Sequence, residues 1–72
     1  MANNFRITDD LVAEIEYADL SLQFVKDLLC GRFPDAKRIE VVFVEYDEVL
    51  ADVDGVKYVA DNDGNVYKYE ED

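Results

Sequence analysis

Thr8 is followed by two acids, Asp9 and Asp10, and then by apolar residues at Leu11, Ile15, Ala18, Leu22, Val25 and Leu29, in steps of 4, 3, 4, 3 and 4. That spacing keeps a single stripe on one side of a helix. Thr8 carries the side-chain oxygen an N-cap needs, the two acids suit the positive first turn, and Ile7 is placed to staple onto Val12. Gly31 and Pro34 mark the far end. The pattern predicts one helix of about 23 residues, bent near Asp19 to Ser21. A rival pattern overlaps it: Ala13, Ile15 and Tyr17 alternate with Glu14 and Glu16 as in a strand, with Asp19 or Ser21 then capping a shorter helix. The stripe that continues through Ala18 and Leu22 favours the helix.

After a loop at 32–37, β-branched and aromatic residues dominate. Over Arg38 to Tyr46, simple alternation puts Ile39, Val41 and Phe43 on one face of a central strand and Val42, Val44 and Tyr46 on the other. Val49 to Val53 and Val56 to Ala60 flank Asp54-Gly55, a dipeptide suited to the two positive φ angles of a type I′ hairpin turn. Asp61-Asn62-Asp63-Gly64 supplies a second turn before Asn65 to Glu70, where Val66 and Lys68 alternate with Tyr67 and Tyr69. The expected fold is α+β. One N-terminal helix packs on a three- to four-stranded antiparallel β-meander, in a single small domain covering residues 1–72.

Composition sharpens this picture by exclusion. Seven Lys and Arg against 18 Asp and Glu give a net charge of −11, while 50% of the residues are hydrophobic. The chain is apolar enough to build a core, unlike an acidic disordered tail. Its charge repels phosphate backbones and anionic membrane surfaces, and the longest apolar run, Val41 to Val44, is far short of the roughly 20 residues a bilayer requires. Neither direct nucleic-acid binding nor a membrane span is expected. Met1 to Asp10 has no basic n-region and no apolar h-region, so the expected compartment is the cytoplasm, that of the host if the chain is phage-encoded.

Candidate chemistry is sparse. Cys30 is the lone cysteine and there is no histidine, so thiolate and imidazole metal sites have no ligand set; Cys30 reads as a small apolar residue near a helix end. Ser21 and Thr8 lack a histidine base, and a short chain leaves little volume for a substrate pocket once its core is packed. Asp61-Asn62-Asp63-Gly64 with Glu70 partly matches calcium-loop spacing, but the first ligand position falls on Val59, a hydrocarbon. A plain turn is expected there. The chain therefore reads as non-enzymatic, with no cofactor and no metal site.

Two surfaces remain. Residues 1–44 hold 8 acids and 5 bases, net −3, and residues 45–72 hold 10 acids and 2 bases, net −8. These later acids are interleaved with Tyr46, Tyr58, Tyr67 and Tyr69, and are either a solvated face or an anionic interaction surface. The partner-binding candidates are Tyr46, Asp47, Glu48, Asp52, Asp54, Tyr58, Asp61 and Asp63. The other surface is a second apolar shoulder on the helix, Tyr17, Leu20, Phe24 and Leu28, which either wraps into the core or forms a patch for a partner or a second copy.

The function expected from these features is a non-enzymatic acidic binding protein that inhibits or sequesters a basic, nucleic-acid-handling protein. Carboxylates on a rigid sheet can occupy a groove shaped for phosphates, and a strong negative field speeds the encounter. Small acidic chains of this kind include phage-encoded inhibitors of host defence, among them DNA mimics acting on restriction or CRISPR complexes; the analogy is one of size and charge, without a shared motif. The alternatives are a structural or regulatory homodimer pairing through the helix shoulder, with the acids serving solubility, and an antitoxin-like neutraliser.

Overall fold

In the computed structural model, which describes residues 4–70, the chain runs β1 (Phe5–Arg6), α1 (Asp9–Tyr17), α2 (Leu22–Arg32), β2 (Ile39–Glu45), β3 (Glu48–Val53), β4 (Val56–Asp61) and β5 (Val66–Lys68). The strands form one five-stranded sheet in the order β1-β2-β3-β4-β5. Its last four strands are an antiparallel meander, while β1 pairs parallel with β2 through Phe5 opposite Ile39. The α+β architecture agrees with the sequence pattern, with one strand more than expected and two helices in place of one.

Thr8 caps α1 as anticipated: its side-chain oxygen accepts from the Leu11 amide at 3.3 Å. Residues 9–17 are helical, which removes the strand alternative. The helix then stops much earlier than its apolar stripe. Asp19 takes a left-handed φ of 63°, its amide donates to the Glu16 carbonyl at 3.2 Å, and the Leu20 amide donates to the Ile15 carbonyl at 2.9 Å. This pair of bonds is a Schellman motif with aspartate in the position glycine usually takes. The accompanying apolar contact is between Leu20 and Ile15, both buried in the core. Ser21 opens α2, its hydroxyl accepting from Phe24 N at 3.2 Å. The predicted bend is thus a full break with a cap on each side.

The core lies between the helices and one face of the sheet, α1 packing over β2 and α2 over β4. Ile15 and Leu20 meet Val25 and Leu29 from α2, Ile39, Val41 and Val44 from β2, and Val49, Ala51, Val53 and Ala60 from the hairpin. Leu11, Ala18, Leu22 and the free Cys30 are half-buried against this cluster, so the whole predicted stripe packs inward despite the break.

Strand β2 departs from simple alternation. Its register against β3 shifts between Val41 and Phe43, so a bulge at Val42 puts Val44 on the same face as Ile39 and Val41 and turns Phe43 to the opposite face. The expected grouping of Phe43 with Ile39 and Val41 is corrected accordingly. Asp54 and Gly55 have φ of 51° and 93°, the two positive values of the predicted type I′ turn.

Candidate protein-binding surface

The eight partner-binding candidates do not lie together. β3 is six residues long, so its two ends are about 17 Å apart at roughly 3.3 Å per residue. Asp52 and Asp54 sit at the end that carries the Asp54-Gly55 turn. There Asp54 clamps the loop before β2, its carboxylate accepting from the amides of Lys37 at 3.1 Å and Arg38 at 2.9 Å while its own amide donates to the Arg38 carbonyl. Asp52 accepts from the Gly55 amide at 2.7 Å. Both carboxylates hold backbone.

Tyr58 is likewise occupied. It lies on the helix-facing side of β4 with its ring centroid 4.6 Å from that of Phe33, at a tilt of 50°. It is half-buried against the core.

The opposite end gathers Tyr46, Asp47, Glu48, Asp61 and Asp63. The Asn62 amide donates to the Asp47 carbonyl at 3.1 Å and ties the β2–β3 turn to the β4–β5 turn. Asp61 organises the second turn, accepting from the amides of Asn65 and Asp63, each at 2.9 Å, and from the Asn65 side chain at 3.2 Å. These bonds, the Asn65 amide above all, hold its carboxyl below the usual carboxylate range. The loop is an Asx turn. Among the described residues no group of three or more His, Cys, Asp or Glu side chains is placed to hold a metal ion.

A cleft of about 540 Å³ opens between these turns and the C-terminal end of α1, lined by Glu14, Tyr17, Ala18, Asp19, Val44, Tyr46, Asp47 and Asn62. No basic residue lines it. Tyr17 and Tyr46 are 92% and 86% exposed, so two tyrosines and three carboxylates face solvent at one end of the molecule. Arg32, Lys37 and Arg38 lie at the other end, beside the Asp54 clamp. The charge asymmetry seen along the chain becomes a separation between the ends of the sheet.

The sheet face turned away from the helices carries features that the sequence pattern did not reveal. Antiparallel sheets with one solvated face usually show polar residues there. In this sheet the register puts Phe43 opposite Leu50, Leu50 opposite Val59 and Val59 opposite Tyr67, an apolar row crossing four strands. Phe43 and Tyr67 are 53% and 49% exposed, and Val59, although on the outer face, is only 8% exposed. One row nearer the acidic end, Glu45 lies opposite Glu48 and Glu48 opposite Asp61, with no basic residue in the row. The Tyr67 hydroxyl donates to Glu48 Oε2 at 3.2 Å, which raises the phenol's pKa, since the carboxylate favours the protonated form. On the other side of the apolar row, Glu40 and Asp52 are accompanied by bases: Arg38 pairs with Glu40, and Lys57 lies opposite Asp52.

The helix shoulder is divided. Leu20 is buried and Leu28 is half-buried against the core, while Phe24 and Tyr17 are exposed. The four residues therefore form no common patch, because the break after Tyr17 turns Leu20 inward. No helix among the described residues is long and apolar enough to cross a membrane. Compared with known protein families, curated proteins and solved structures, the chain matches none.

Proposed function

We propose that this chain is a non-catalytic binding protein that engages, and so inhibits or sequesters, a basic protein of the kind that handles nucleic acid. The observation that carries the reading is the separation of charge: Glu45, Asp47, Glu48, Asp61 and Asp63 collect with two exposed tyrosines at the sheet end that has no base in its cleft. Carboxylates placed opposite one another across strands destabilise a fold by a few tenths of a kcal/mol or more. A basic partner would relieve that repulsion. Rigid tyrosines add contact area at low entropic cost. General acid–base chemistry draws on groups whose pKa values are driven apart by burial, whereas no polar or charged side chain is buried among the described residues.

The test is charge reversal at acids that hold no backbone. Glu45→Lys, Asp47→Lys, Glu48→Lys and Asp63→Lys are combined in one variant, and wild type and variant are used for affinity capture from a bacterial lysate at low and high salt. A basic nucleic-acid-binding protein retained by the wild type, released by salt and lost to the folded variant is the expected result. The purified pair should then show displacement of nucleic acid by the wild type alone. Equal retention by the variant, or no displacement, overturns the reading.

A further inference from the structure

We infer that the partner docks on the sheet face opposite the helices, with the row Phe43–Leu50–Val59–Tyr67 receiving an apolar group and the row Glu45–Glu48 receiving Arg or Lys beside it. This deepens the proposed function and rests on it. The ladder register brings the four apolar residues into one line across β2, β3, β4 and β5, although they are scattered along the chain. Phe43 reaches the outer face only because of the Val42 bulge, a device that re-aims a side chain. Tyr67 is already oriented, its hydroxyl held by Glu48.

Charge complementarity selects the occupant. Pairing two copies of this face about a two-fold axis along the strands lays the Glu45–Glu48–Asp61 row against itself, and an axis along the apolar row lays it against the row in which Glu40 and Asp52 stand with Lys57. With a net charge of −11, a second copy is repelled. A basic protein surface is attracted, and the two flanking rows differ in what they offer it. Glu40 and Asp52 have Arg38 and Lys57 beside them, so their charge is partly met within the chain. Glu45 and Glu48 face each other with no base between them. Leu50 and Glu48 are two residues apart on β3, so the cation should sit about 7 Å from the apolar anchor. The half-exposed aromatics supply affinity and the acids supply rate and orientation.

The experiment uses two probes, a short peptide of Arg, Leu and Gly and the same peptide with Ser in place of each Leu, titrated into isotope-labelled protein and followed by amide shifts. The Leu peptide should shift Phe43, Leu50, Val59 and Tyr67 together with Glu45 and Glu48. The variant Phe43→Thr/Tyr67→Thr should weaken the Leu peptide about tenfold or more while leaving the weaker Ser peptide unchanged. Threonine keeps the strand preference, and Tyr67→Phe alone, which removes only the hydroxyl, provides a second variant should the double substitution unfold the sheet. Tyr67→Phe should broaden Glu48 and weaken the Leu peptide by a smaller factor. Glu45→Lys/Glu48→Lys should abolish both peptides. If both peptides bind equally and the aromatic variants change nothing, or if the shifts fall around Tyr17 and Tyr46, the docking face is wrong and the acidic-binding reading stands. If neither peptide binds, that reading falls as well. Sedimentation showing a wild-type dimer that the Phe43→Thr/Tyr67→Thr variant dissolves would assign the face to a second copy and overturn the inference.

Discussion

Among the second-half acids, charge alone does not separate those that build the fold from those that remain available. Asp54 and Asp61 each accept two or more backbone amides, and Asp52 accepts one. For Asp61 the consequence is a pH dependence of definite sign. Its folded-state pKa lies below the ordinary 3.8, so its contribution to stability is complete above that value and is lost as pH falls through the lower folded value. An NMR titration should place the Asp61 midpoint below that of an unstructured aspartate, with the Asp63 and Asn65 amides moving in step. Asp61→Asn should hold the turn through its remaining carbonyl oxygen and erase the shared titration. A midpoint at or above the ordinary value would mean that the turn does not depend on the charge.

At the scale of elements, the helix break shows where local chemistry overrides a hydrophobic period. The stripe from Leu11 to Leu29 correctly identified the inward face, but periodicity does not register a Schellman turn closed by Asp19. Glycine would have announced it; aspartate at φ 63° does not. Asp19→Gly should therefore stabilise the domain by about 0.5–1 kcal/mol, read as a raised urea midpoint at constant slope. An unchanged or lowered midpoint would mean that aspartate makes a compensating interaction there. The hairpin was legible because Asp54-Gly55 fixes its own register, and that register already paired Leu50 with Val59. What hid the apolar row was the Val42 bulge, since one extra residue reverses every side chain beyond it and simple alternation grouped Phe43 with Ile39 and Val41. The acids of the β2–β3 and β4–β5 turns were legible as acids, and the meander order brings these alternate turns to one end; what the sequence did not show is the Asn62–Asp47 bond that ties one turn to the other.

For the molecule as a whole, one end of the sheet presents carboxylates and tyrosines and the other presents Arg32, Lys37 and Arg38 around the Asp54 clamp. Approach of a basic partner is thereby directional as well as attractive. The strand order has a separate consequence, for the route by which the structure assembles. In β2-β3-β4-β5 every strand lies beside its neighbour in the chain, so these pairings close over short turns and can zip one after another. The β1–β2 pair differs, joining Phe5 to Ile39 across 34 positions and only two residues of strand. Its closure meets the largest loop entropy in the sheet for the fewest bonds. Native-state hydrogen exchange should therefore find the Ile39 amide, which donates to the Asn4 carbonyl, opening well before the amides between β3 and β4. Folding kinetics should show the meander forming before the β1 edge is laid down, so that the first strand in the chain is the last to join the sheet.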